Sequence, residues 1–136
     1  MNSESKQLII DTMRKNGAVV GYLFGSYARG TAGPMSDIDV AVAFPISMSN
    51  DDQESRVEDI RGALERVYGR DQVDVVNVPK LRTPLLRYII TLGEGKVLFA
   101  DDRSILNRLA DIARRDYEDT KPLRAIQSQY LGELFA

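Results

Sequence analysis

Residues 37–44 alternate between two kinds of side chain with the period of two that is typical of a β-strand. Large apolar side chains occupy one face, whereas two carboxylates followed by two small side chains occupy the other. The first set is Ile38, Val40, Val42 and Phe44, and the second is Asp37, Asp39, Ala41 and Ala43. The segment therefore predicts a strand that carries both carboxylates at the start of one face.

Strand and helix patterns alternate along the first hundred residues. Apolar residues recur at helical spacing over 4–16, 57–68 and 83–92, and β-rich apolar segments cover Val19–Phe24, Val73–Val78 and Lys96–Ala100. Thr83 is the expected N-cap of the last helix in this set, with Pro84 at its first position. The alternation predicts an α+β fold, an α/β sandwich in which flanking helices cover a mixed central sheet of four to five strands.

From residue 102 onward the pattern is entirely helical. It contains two apolar stripes separated by Pro122, namely Leu106, Leu109, Ala113 and Tyr117, and then Leu123, Ile126, Tyr130 and Leu134. We expect one domain over residues 1–101 and a C-terminal helical extension over residues 102–136. Stripes of this kind pack against their own domain or dock a partner protein, and the sequence leaves both alternatives open.

Composition excludes several classes of site. The chain of 136 residues contains neither cysteine nor histidine, which removes disulfides, thiolate metal sites and every Ser-His-Asp triad. The formal net charge of −2 argues against direct, sequence-blind binding of nucleic acid. The N-terminal segment lacks the apolar core of a signal peptide, and no apolar run approaches the roughly 20 residues that span a bilayer. We therefore expect a cytoplasmic protein without a membrane segment.

The segment between the first two predicted strands is suited to binding an anion. Gly25 ends the first strand and lets the backbone approach a ligand closely, because glycine has no Cβ. Ser26 is the expected cap of a short helix that includes Arg29, and a helix N-terminus favours a phosphate. A Gly-Ser pair at a strand end is more often an ordinary turn, and an arginine on a surface helix is by default a solvated charge.

The acidic residues are suited to binding a cation. Asp37 and Asp39 are two apart on the predicted strand, so their carboxylates project from one face and repel each other unless a cation lies between them. Magnesium takes one or two carboxylates and completes its shell with waters and substrate phosphates. Asp74 begins the third strand, where it could complete a two-metal site. Taken alone, an Asp-x-Asp pair is more often a solvated pair at a strand edge.

In combination, these residues resemble the signature of the nucleotidyltransferase superfamily that includes DNA polymerase β, and in particular its small MNT subfamily. The resemblance rests on Gly25-Ser26, ten further residues, and Asp37-x-Asp39, with Asp74 on a later strand. It implies a nucleotidyltransferase fold with two magnesium ions held by the three aspartates. It also implies that the Gly-Ser pair binds the β- and γ-phosphates, that Arg29 contacts the triphosphate, and that Asp74 helps take a proton from the acceptor.

Members of the MNT subfamily are commonly paired with a HEPN ribonuclease toxin. The resemblance implies an antitoxin that neutralises such a partner by AMPylation, in which AMP is transferred from ATP to a tyrosine, and a hetero-oligomer of the two proteins. Two alternatives stay open. In the first, the protein is a non-catalytic antitoxin that masks its partner. In the second, it is a nucleotidyltransferase for a small molecule such as an aminoglycoside. The absence of a second domain for an acceptor weighs against the small molecule.

Overall fold

The computed structural model describes residues 1–69 and 72–123. The helices are α1 (Ser3–Lys15), α2 (Gly25–Arg29), α3 (Asn50–Tyr68), α4 (Pro84–Thr91) and α5 (Arg103–Asp119), with a 3₁₀ turn over Val78–Lys80. The strands are β1 (Val20–Phe24), β2 (Ile38–Ala43), β3 (Val73–Asn77) and β4 (Lys96–Ala100). The element order follows the predicted alternation closely. The third strand ends one residue early, because Pro79 cannot donate a hydrogen bond to a continuing ladder.

The four strands form one mixed sheet in the order β3-β2-β1-β4. Strand β1 runs antiparallel to both β2 and β4, whereas β2 and β3 are parallel. Helix α3 supplies the long connection that a parallel pair requires. Within the described residues, the sheet therefore has four of the four to five predicted strands.

Helices cover both faces of the sheet, as the sandwich prediction requires. The large apolar residues of β2 lie in one core cluster, where α1 contributes Ile9 and Met13 and α3 contributes Ile60 and Leu64. The small residues of β2 lie in a second cluster, under residues of α4 and α5. The alternation along β2 therefore separates the two layers, and Asp39 lies on the face that α4 and α5 cover further along the strand.

The start of α4 differs from its prediction in one respect. The helix begins at Pro84, as expected, but the side chain of Thr83 makes no capping hydrogen bond. Pro84 has no backbone N–H, so this helix start has one fewer unpaired donor, although the donors of Leu85 and Leu86 that a cap would satisfy are still present. Within the parts of the chain that are described, no helix is both long enough and apolar enough to cross a bilayer.

Helix α5 packs onto the rest of the molecule. Its residues Ile105 and Leu109 are buried in the second core cluster, and the ring of Tyr117 stacks on that of Tyr88 in α4 with 4.0 Å between the centroids. The first helical stripe is thus part of the protein core. The division of the chain at residue 102 stays a prediction, and the second stripe lies outside the described residues beyond Leu123.

An ion pair between α4 and α5 gives a first testable prediction. Nη1 of Arg87 lies 2.5 Å from Oδ2 of Asp116, with the side chains 13% and 38% exposed, and the same guanidinium donates to the carbonyl of Leu81. Replacing Arg87 by Met leaves one carboxylate and one carbonyl without this partner. We expect Arg87→Met to lower the free energy of unfolding by about 1–3 kcal/mol, between the values for exposed and buried pairs.

The matched control for this variant is Arg114→Met, because Arg114 pairs with Asp111 on the exposed side of the same helix. We expect the control to change the free energy of unfolding by less than about 0.5 kcal/mol. Urea denaturation of both variants measures the difference. Equal effects of the two substitutions would show that the α4–α5 ion pair does not hold α5 in place.

Candidate active site

Gly25 lies where β1 ends, against the carboxylate of Asp39. The two strands pair so that Phe24 is opposite Asp39, and the next residue, Gly25, has a φ angle of 71°. A Cβ atom added to Gly25 would overlap Oδ2 of Asp39 and lie 3.0 Å from its Cγ. Glycine is therefore required here for two separate reasons, the left-handed backbone and the closeness of the carboxylate.

The short helix α2 carries the other residues of the predicted anion site. The helix begins at Gly25, so its N-cap is Phe24, and no side chain caps it. The expectation that Ser26 is the cap is wrong, because Ser26 already lies in the first turn of the helix. Tyr27 packs against the first core cluster, and Gly30 ends the helix in the left-handed conformation.

The acidic residues meet across the parallel pair of strands. Asp39 on β2 lies directly opposite Asp74 on β3 in the strand register, and neighbouring strands are about 4.8 Å apart. Asp39 is half-buried, whereas Asp74 and Asp37 are exposed. Asp37 lies one residue before β2, so the expectation that it is part of the strand is wrong. The ladder starts only at Ile38, whose N–H donates to the carbonyl of Gln72.

The pKa of Asp39 shows that the three carboxylates interact. Burial raises this pKa above its ordinary value, and the negative charges of Asp74 and Asp37 raise it further. The positive charge of Arg29 partly offsets these effects. The ionised form of Asp39 is therefore unfavourable in the free protein, and a bound cation would stabilise it.

The fit of this site to magnesium follows from the same geometry. Among residues 1–69 and 72–123, no three acidic side chains converge closely enough to enclose a metal ion by themselves. Asp39 and Asp74 are nevertheless adjacent in register, and magnesium needs only one or two carboxylates when phosphates and waters fill the other positions. The residues fit an open site that a nucleotide completes.

The site contains one residue that the sequence analysis did not identify. Nη1 of Arg29 lies 3.1 Å from Oε2 of Glu94, which is in the turn between α4 and β4. The two residues are 65 positions apart in the sequence. An isolated glutamate between two glycines forms no spacing pattern with the other site residues, so no local signal indicates the contact.

A separate groove lies at the opposite end of β3. It is lined by Asn77 at the end of the strand, by Lys80 and Arg82 beyond it, and by Asn50 and Glu54 of α3. None of the predicted site residues lines this groove. Gly25, Asp37, Asp39 and Asp74 instead lie at the end of the sheet where β2 and β3 begin.

Comparison with known proteins agrees with the predicted fold. A model of the family described as polymerase beta, nucleotidyltransferase, matches residues 7–104, which include every predicted site residue. The protein adenylyltransferase MntA of Shewanella oneidensis is 33% identical over 73 residues, which cover 54% of this chain and 49% of MntA. The match thus spans about half the length of that relative.

Several solved structures resemble the whole chain. A chain in the crystal structure of a toxin–antitoxin complex with AMP-PNP is 26% identical, with a TM-score of 0.67, and the match covers 99% of this chain and 100% of that chain. A chain in a re-refined structure of the tri-AMPylated Shewanella oneidensis HEPN toxin with its MNT antitoxin is 22% identical, with a TM-score of 0.64 and complete coverage of both chains. At this lower identity the second likeness shows the fold alone.

Proposed function

Because this chain belongs to the polymerase β nucleotidyltransferase family, we propose that it is a protein adenylyltransferase, which transfers AMP from ATP to a hydroxyl group of another protein. The observation that carries the proposal is the pairing of Asp39 with Asp74 in register, beside the closely packed backbone of Gly25. The identity of 33% to a protein adenylyltransferase supports AMP as the transferred group and a protein as the acceptor.

In this proposal, magnesium binds at Asp37, Asp39 and Asp74, with two ions in the complete site. Ions held there would neutralise the charge of the phosphates. The backbone at Gly25 and the hydroxyl of Ser26 bind the β- and γ-phosphates, and Arg29 contacts the triphosphate. Asp39 is half-buried, whereas Asp37 and Asp74 are exposed, and the proposal assigns Asp39 to holding the ions.

The transfer is a substitution at the α-phosphorus of ATP. The acceptor oxygen forms a bond to this phosphorus, the bond to the bridging oxygen of the β-phosphate breaks, and pyrophosphate leaves. The proton of the acceptor hydroxyl passes to the carboxylate of Asp74. Asp74 is exposed on a strand at the edge of the sheet, where an acceptor from another protein has access to it.

The proposed acceptor is a tyrosine of a HEPN toxin, and the protein acts as its antitoxin in the cytoplasm. A toxin–antitoxin complex with AMP-PNP supports a toxin as the partner, since the matching chain is 26% identical to this one. The HEPN class and the tyrosine are what the resemblance to the MNT subfamily implies. Tyrosine has a reference pKa near 10, which makes its oxygen easier to deprotonate than that of serine. The added AMP brings a negative phosphodiester and a bulky base, which would block an RNA-binding surface.

In this proposal, docking of the partner also supplies the acceptor site. Orientation of an acceptor in line with the reacting phosphorus is worth roughly 7–11 kcal/mol of the barrier in favourable cases. The proposal therefore assigns acceptor recognition to the complex of the two proteins. Free tyrosine is accordingly expected to be a poor acceptor.

The test is intact-mass spectrometry of a HEPN protein encoded beside this chain, after incubation with the purified protein, magnesium and each nucleoside triphosphate in turn. We expect increments of one or more AMP residues with ATP, localised to tyrosine, and none with Asp39→Ala. A partner that is inhibited but unmodified would replace the proposal with the masking antitoxin. Labelling of an aminoglycoside in place of the partner would support the small-molecule transferase.

A further inference from the structure

We infer that Glu94 is a positioning residue, which holds the guanidinium of Arg29 where it can contact the triphosphate. The inference rests on the proposed function, because it assigns a support to the arginine at the nucleotide site. The geometric basis is the contact of 3.1 Å between Nη1 of Arg29 and Oε2 of Glu94. Both residues lie inside the segment that matches the family.

The contact leaves most of the guanidinium free for a ligand. Within residues 1–69 and 72–123, it is the only hydrogen bond that the side chain of Arg29 makes. A guanidinium has five N–H donors in a planar fork. One side of the fork is thus occupied by Glu94, and the remaining donors are available to phosphate oxygens.

The charge of Arg29 acts on the aspartate site even though its contact is with Glu94. Its positive charge lowers the pKa of Asp39 against the effects of burial and of the neighbouring carboxylates. The guanidinium therefore lies within electrostatic range of the place where the metal and the triphosphate are expected. An unsupported arginine would lose rotamer freedom on binding a phosphate, a cost that the ion pair reduces in advance.

The turn that carries Glu94 is fixed to the end of α4. The N–H of Gly93 donates to the carbonyl of Tyr88, and the N–H of Gly95 donates to that of Ile89; each donor–acceptor distance is 3.0 Å. A Cβ atom at Gly95 would overlap the carbonyl oxygen of Ile90, and one at Gly93 would lie 3.1 Å from that of Ile89. The backbone on both sides of Glu94 therefore packs directly on α4, which fixes the position of the main chain that carries this side chain.

The alternative is that the pair is an ordinary surface ion pair. The side chains of Arg29 and Glu94 are 45% and 52% exposed, and pairs of this kind contribute little to stability. The two alternatives differ in what they predict for nucleotide binding. A positioning role affects the KM for ATP and leaves the stability of the free protein unchanged, whereas a surface pair affects neither.

The experiment measures AMP transfer to the HEPN partner and thermal unfolding with magnesium and AMP-PNP. We expect Glu94→Ala to raise the KM for ATP about two- to five-fold at nearly constant kcat, the range of an exposed charge pair. The same variant should show an unchanged Tm without nucleotide and a smaller rise in Tm with AMP-PNP. Glu94→Gln keeps the acceptor oxygen without the charge and should be intermediate.

A control variant and a double variant test whether the effect is specific to the pair of Arg29 and Glu94. Asp111→Asn removes the carboxylate of another exposed pair and should change neither the KM nor the rise in Tm. In Arg29→Gln, the additional change Glu94→Ala should have no further effect on the KM, since the group that it positions is gone.

The outcomes separate the inference from the proposed function. An unchanged or lower KM in Glu94→Ala, with a raised KM in Arg29→Gln, would overturn the role of Glu94 and leave that of Arg29 intact. An unchanged KM in Arg29→Gln would instead remove Arg29 from the nucleotide site. Absence of AMP transfer by the unaltered protein, with binding of AMP-PNP retained, would contradict the proposed reaction only.

Discussion

Asp39→Asn is expected to reduce AMP transfer by about two to three orders of magnitude, the usual loss when an electrostatic stabiliser of the transition state is removed. The substitution keeps the size of the side chain that lies against Gly25. It removes one of the two carboxylates that lie side by side on the neighbouring strands β2 and β3. An amide cannot supply the negative charge that holds magnesium, so the loss should appear mainly in kcat.

The same substitution is expected to raise the stability of the protein without metal at neutral pH. Burial, together with repulsion from Asp74 and Asp37, raises the pKa of Asp39 in the folded state. A carboxyl group with a raised pKa contributes stability at low pH and loses that contribution as the pH rises through its folded pKa. Its ionised form is therefore unfavourable at pH 7, and the neutral amide avoids this cost.

The pH dependence provides an internal check. Tm should be higher for Asp39→Asn than for the unaltered protein at pH 7, and the difference should shrink below about pH 4, where the reference carboxyl is itself protonated. Asp59→Asn is a suitable control, because Asp59 is exposed on α3 away from the site. Full transfer activity in Asp39→Asn, or a lower Tm at pH 7, would contradict the assignment.

The sequence predicted the two layers of the fold because its patterns are local. The period of two along β2 separates large apolar residues from small ones, and the structure buries each set in its own core cluster. The helices over 4–16 and 57–68 follow from helical spacing in the same way. Neither pattern specifies which strands are neighbours, so the order β3-β2-β1-β4 could not be predicted from them.

The position of Asp74 illustrates this limit. Its spacing from Asp39 in the sequence is set by the length of α3 and its loops, and these do not determine a strand register. The structure places the two residues opposite each other because β2 and β3 are parallel and aligned at their first residues. The signature of the family predicts Asp74 from the sequence without the register, and its proposed role in proton transfer stays a prediction.

Glu94 and Ser26 show two other reasons for incomplete prediction. The contact of Glu94 with Arg29 joins residues from separate elements, and a pattern within one element cannot indicate it. The cap assigned to Ser26 depends on where α2 begins, and an error of one residue changes the N-cap from serine to Phe24. Helix boundaries are commonly uncertain by one or two residues.

Gly25→Ala is expected to remove most AMP transfer and to destabilise the protein by more than a strained backbone alone would. Gly25 and Gly30 have similar φ angles of 71° and 76°, so an alanine at either position pays about 1–2 kcal/mol for the left-handed conformation. An added Cβ at Gly30 meets no atom of the described residues within 4 Å, whereas at Gly25 it overlaps the carboxylate of Asp39. Gly30→Ala is therefore the matched control, with the strain but without the overlap.

We expect Gly30→Ala to lower the free energy of unfolding by about 1–2 kcal/mol and to retain transfer activity. Gly25→Ala should cost more than this, because its methyl group must also displace the side chain of Asp39. A double-mutant cycle isolates most of that second part, since Asp39→Ala removes the Oδ2 and Cγ atoms with which the methyl group collides and leaves only the Cβ atom, at 3.2 Å. In the background of Asp39→Ala, the cost of Gly25→Ala should fall most of the way towards that of Gly30→Ala. Strictly additive effects of the two substitutions would show that the carboxylate of Asp39 does not lie against Gly25, and would remove the geometric basis of the proposed site.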